Sequence, residues 1–138
     1  LKVKDLKLQA IAEKSLKEVK YHLKWSSEWM IRLGDGTQES HDKIQEAVNT
    51  ILPYVKEAFI LSDYQKVLIE EGLISNPEDF KAAWLTKVNE ILTEATIVAD
   101  VENAFAQKGG KDGIHTEHLG FILTDLQYLQ RTYPNSQW

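Results

Sequence analysis

The chain has 138 residues, is 43% hydrophobic and 27% charged, and carries a net charge of -5. That length suits a single domain, and the acidic balance excludes non-specific nucleic-acid binding, since no face holds surplus Lys and Arg to follow a phosphate backbone. The absence of cysteine excludes a disulfide framework, a thiolate nucleophile and a Cys-type zinc site.

Taken in chain order, the first segment is an amphipathic helix. At about 100° per residue, Leu8, Ile11, Ala12, Leu16, Val19, Leu23, Trp29, Met30 and Leu33 share one wide arc. Lys14, Lys17, Lys20, Lys24, Glu28 and Arg32 lie opposite. An apolar arc approaching half the circumference faces more than one neighbour, as in a helical bundle. Gly34-Asp35-Gly36 is expected to stop the helix through a left-handed glycine cap.

Thr37 is the expected N-cap of the next helix, with Glu39 in its first turn. Ile44, Val48, Ile51, Leu52, Val55 and Phe59 continue at helical spacing, and Pro53 is expected to kink or break the pattern. Ser62 and Gln65 have the spacing of a capping box, opening a short helix that ends near Gly72. Asn76-Pro77-Glu78-Asp79 supplies a cap, a proline at the first helical position and two acids. Phe80, Trp84, Leu85, Val88, Ile91, Leu92 and Ala95 carry the helix that follows. After the Gly109–Gly113 loop, read as a flexible connector, Thr116 is expected to cap a last helix ending at Tyr133-Pro134. Its Leu119, Leu123, Leu126 and Leu129 share a face. No strand alternation or repeat occurs. The fold class is all-α.

Two groups of residues have the composition of a site. Glu18 and His22 lie four apart inside the apolar arc, so both share one helical face and a metal contact is sterically open to them. Carboxylate-bridged di-iron bundles use Glu-x-x-His, however, and no second such element occurs. The more economical reading is a buried carboxylate and imidazole satisfying each other within a polar seam. His115, Glu117 and His118 form the second group, at a helix start. Zinc deaminases need a cysteine pair in addition, and the metalloprotease order His-Glu-x-x-His is absent, so structure is favoured over ligation. The glycine loop carries Lys111 but lacks the spacing of a phosphate-binding loop. His41 and the four tryptophans read as core or interface, Trp25 and Trp29 lying on one edge of the arc.

The stretches KEVKYHLKWSSEWMIRLGDGT (17–37), EEG (70–72), GGKDGIHTEHLG (109–120) and LQYLQRTYPNSQW (126–138) carry a resemblance. In order and over essentially the whole chain, they resemble the C subunits of bacterial phenylacetyl-CoA 1,2-epoxidase complexes. Members of that family are longer at the amino end, so the chain is expected to be the carboxy-terminal part of such a subunit. The resemblance implies a ferritin-like helical bundle, with residues 1–138 a single helical domain of it. It further implies a non-catalytic structural subunit of a multicomponent oxygenase acting on phenylacetyl-CoA in phenylacetate degradation. The di-iron centre is then expected in the partner A subunit, with no cofactor in this chain.

Within that resemblance Glu18 and His22 occupy a helix equivalent to a ligand-bearing one, as vestigial candidates. Tyr21 stands where Glu-x-x-His would require histidine. Trp25, Trp29, Lys111, His115, Glu117 and His118 are structural or interface candidates. The rival reading is a di-iron oxygenase in its own right, its missing ligands on amino-terminal helices outside this chain. Expected partners are the A subunit and a second copy of the chain, without nucleic acid or membrane. No apolar run approaches the roughly 20 residues of a bilayer span, and no signal peptide is visible. A reducing cytoplasm is the expected location.

Overall fold

A computed structural model describes residues 4–137; Trp138, which closes the last resembling stretch, lies outside them. The described residues form five α-helices and no strand. These are α1 (Leu6–Gly34), α2 (Gln38–Val55), α3 (Asp63–Glu70), α4 (Glu78–Glu94) and α5 (His118–Thr132). The chain divides into two compact units, Leu1–Gln107 and Lys108–Trp138.

In the first unit, α1 begins at Asp5, whose Oδ1 accepts from the backbone N–H of Lys7 at 2.8 Å and of Leu8 at 3.0 Å. Its end differs from the glycine cap expected of it. Gly34 is the last helical residue, Asp35 caps with φ -89°, and neither Gly34 nor Gly36 has positive φ. Gly34 is glycine because α1 meets the chain after α4 there. A β-carbon on it would lie 2.0 Å from the Ala95 carbonyl oxygen.

Thr37 caps α2 as expected, its Oγ1 accepting from Ser40 N–H at 3.2 Å. Pro53 does not break this helix. It stands in the last turn, two residues before Val55, so only the bond back to the turn before it is lost and little helix remains for it to redirect; the chain then tightens into a 3-10 turn over Lys56–Phe59. Gln65 Oε1 accepts from both the backbone N–H and the Oγ of Ser62 at 3.2 Å, closing the expected capping arrangement of α3. Gly72 follows α3 with φ +72°, and Leu73 N–H reaches back to the Leu68 carbonyl. Asn76 Oδ1 accepts from Glu78 N–H at 3.0 Å just before α4, but Pro77 occupies the N-cap position and the helix begins at Glu78, one residue later than expected.

The core lies where α1, α2 and α4 converge. Leu92, Ala95, Ile97 and Val101 are its buried residues, and Met30, Ile44, Val48, Leu52, Trp84 and Val88 pack against them half-buried. The irregular segment after α4 forms the remaining wall. Gln45 fastens it at Val98, donating to its carbonyl at 2.8 Å and accepting its N–H at 2.9 Å. Lys56 donates to the carbonyls of Glu102 and Ala104, and Gln107 N–H donates to the Pro53 carbonyl.

In the second unit the glycine loop is an ordered turn, not a flexible connector. Gly109 and Gly113 take φ +107° and +84° on either side of a 3-10 turn over Gly110–Asp112. Ile114 N–H then bonds the Gly109 carbonyl at 2.8 Å. The last helix begins at His118, with Glu117 at its boundary and no side-chain cap. Thr116 contributes its carbonyl, which accepts from Leu119 N–H, and not the hydroxyl cap expected of it. Tyr133 ends the helix as expected. Every residue of α5 is half-buried or exposed.

Candidate functional site

The residues that could meet a ligand or partner lie mostly on α1. Val19 and Leu23 of the apolar arc are 58% and 50% exposed, whereas Met30 and Ile31 at the far end of the helix join the core. The arc therefore changes role along its length. Its carboxy-terminal turns are packed by α2 and α4. Its amino-terminal turns present Leu8, Ile11, Leu16, Val19 and Leu23 to solvent.

Glu18 and His22 lie on that uncovered stretch, and both are exposed. No hydrogen bond or ion pair joins them among the described residues, so the expectation that they satisfy each other in a buried seam is not met. The helical spacing puts them on one face, but burial that would force them together comes from no element packed here. The nearest ring to His22 is that of Tyr21, 6.1 Å away between centroids. Among the described residues no group of three or more His, Asp or Glu side chains converges. Glu18 and His22 alone do not fit a di-iron centre, which takes carboxylates from several helices.

Next to them runs an aromatic ladder. The Trp25 and Trp29 rings meet edge to face with centroids 6.2 Å apart, and the Arg32 guanidinium sits 5.7 Å over the Trp29 ring. Spacings of four and three residues bring all three onto one strip. Sequence reasoning singled out the tryptophans but assigned Arg32 to the outward charges; its place three residues after Trp29 was the available signal. Trp84 belongs to the core side, its ring 5.0 Å from that of Phe59.

His41 holds the junction of α1, α2 and the post-α4 segment. Its Nε2 lies 3.1 Å from the Thr96 carbonyl, and Thr96 Oγ1 donates to the Gly34 carbonyl at 3.2 Å. The bond to a carbonyl requires the proton on Nε2, which leaves the buried Nδ1 without a hydrogen-bond partner. Asp42 Oδ1 stands 3.6 Å from that nitrogen. Thr96 adopts φ +58°, the left-handed residue that ends α4. Nothing local to His41 announces a partner 55 positions away.

In the second unit His115, Glu117 and His118 are all exposed, and no bond connects them among the described residues. Their nearness is one of sequence only. Lys111 lies half-buried within the 3-10 turn.

A family model described as phenylacetic acid catabolic protein (PaaA_PaaC) matches residues 1–138. The chain belongs to this family. Among curated proteins, it is 42% identical over 135 residues to the C subunit of the 1,2-phenylacetyl-CoA epoxidase of Escherichia coli (strain K12). That alignment takes in 98% of the chain but 54% of the relative, so the chain spans about half the length of the curated protein it matches. The resemblance carried by the four stretches is thereby shown, and the all-α class with it. Among the described residues of this family member, no helix is long and apolar enough to cross a membrane.

Proposed function

We propose that this chain is part of a non-catalytic, ferritin-like structural subunit of a cytoplasmic oxygenase complex that epoxidises the ring of phenylacetyl-CoA. In this reading it pairs with a di-iron A subunit, and oxygen activation belongs to that subunit's iron. The observation that supports it is the exposed stretch of α1. Leu8, Ile11, Leu16, Val19 and Leu23 line up at helical spacing without cover from the described residues, and an apolar patch of that kind marks an interface. The Trp25–Trp29–Arg32 ladder beside it has the residue types enriched at the energetic centres of interfaces. Lys111 and the ordered turn around it are assigned to assembly as well, so Lys111→Glu weakens pairing before it weakens folding.

The test is co-purification with the A subunit. The chain is expected to be retained, and Val19→Glu, which places a charge in the middle of the face, is expected to abolish retention without lowering the thermal midpoint of the isolated chain. Retention of Val19→Glu equal to that of the parent chain overturns the assignment of this face. Iron analysis addresses the rival reading. Near-stoichiometric iron that disappears in Glu18→Ala, with oxygenase turnover in the absence of the A subunit, establishes an enzyme in its own right.

A further inference from the structure

A cavity of about 240 Å³ lies within the first unit, between α1, α2, α4 and the segment that follows α4. Its walls include Met30, Val48, Leu52, Trp84, Val88 and Leu92, and every side chain lining it is apolar. Ile51, one of its lining residues, is 60% exposed. We propose that this cavity is a binding site for a small unsubstituted aromatic ring of the benzene class. This goes beyond the structural role proposed above, because it gives the chain a ligand of its own.

Three features carry the inference. The first is chemistry. A lining surface that presents no polar atom gives water no partner there, and an enclosed apolar cavity of about 150 Å³ is known to take up benzene. The space here, about 240 Å³, is larger than that. The second is shape. Trp84 supplies a flat wall, held in place by the Phe59 ring at 5.0 Å, against which a second ring can pack offset or edge-on. The third is stiffness. A void persists only where its walls resist collapse, and these are pinned around the rim by polar contacts. Gln45 to Val98, Lys56 to Glu102 and Ala104, His41 to Thr96, and Thr96 to Gly34 tie α1, α2 with its 3-10 turn, and the segment after α4 together. None of these bonds projects into the cavity lining.

Met30 is the only methionine in the chain and lines the cavity, so a single methyl resonance reports on it. The experiment is a titration of the ¹³C-methyl-methionine-labelled chain with benzene. A saturable shift of that resonance is expected. Ala47→Leu and Val88→Leu, which fill the cavity from opposite walls, are each expected to weaken binding at least about tenfold with helical circular dichroism unchanged. Hydroquinone, which cannot enter without stripping water from one hydroxyl, is expected to produce no saturable shift. A benzene shift that grows linearly without saturating, that survives in whichever filling variant folds, or that hydroquinone reproduces overturns the proposal.

Discussion

Gly34 and Ala95 stand so close that a β-carbon on the glycine would lie 2.0 Å from the alanine's carbonyl oxygen and 3.0 Å from its Cβ. Both residues are buried, Ala95 completely. The contact fixes how the end of α1 meets the end of α4. The obstacle is backbone, which cannot swing aside as a long side chain would. Gly34→Ala is therefore expected to destabilise the chain by about 3 kcal/mol, read as a lower urea midpoint at unchanged slope. A midpoint equal to that of the parent chain contradicts the contact.

For His22, exposure decides the outcome. A histidine buried against Glu18 would leave an unpaired carboxylate when removed, and the loss would reach several kcal/mol. Exposed and unbonded to Glu18, it is expected to be replaceable in the isolated chain. His22→Leu should change stability by no more than about 0.5 kcal/mol in denaturant unfolding. A larger loss would show that the two side chains meet.

The glycines flanking the 3-10 turn separate backbone strain from steric conflict. Both have positive φ, but a β-carbon on Gly113 meets nothing within 4 Å, whereas one on Gly109 lies 2.9 Å from the Ile114 Cβ. Gly113→Ala is expected to cost about 1 kcal/mol from conformation alone. Gly109→Ala is expected to cost at least about twice that, since the clash adds to the strain. Loss of Ile114 amide protection in hydrogen exchange provides a local readout. Equal effects at the two positions would refute the distinction.

Asp100 accepts hydrogen bonds from the backbone N–H of Asn103 at 3.0 Å and from its side-chain amide at 3.1 and 3.2 Å. These bonds favour the carboxylate and hold its pKa below the ordinary value of 3.8. A depressed folded-state pKa means the stabilisation is present above the unfolded value and disappears as pH falls through the folded one. The window is thus from about pH 3.8 downward. Carboxyl ¹³C titration should place the Asp100 midpoint below that of an unstructured aspartate, and Asn103→Ala should move it upward. The backbone N–H bond survives that substitution, so a midpoint indifferent to Asn103→Ala would rule out the side-chain amide contribution.

The sequence by itself determined the helices and most of their ends. Local signals sufficed there: the Thr37 cap, the Ser62–Gln65 box, Asn76 before Pro77 and Gly72 after α3 each act within a few residues of their own position. The family, too, was legible, because a resemblance spread over long ordered stretches of sequence can be read without reference to shape, and the family model matches residues 1–138. Tertiary structure alone decided which part of each apolar face is covered. Periodicity puts Val19 and Met30 in the same arc, but only Met30 reaches the core, since burial depends on a neighbour arriving from elsewhere in the chain. The same reason governs Gly34, whose role comes from Ala95, and His41, whose partner Thr96 lies 55 residues on. Glu18 and His22 likewise share a face through helical geometry, but the packing around them determines whether that face is a seam or a surface. Helical geometry acts over four residues, whereas packing acts over the whole chain.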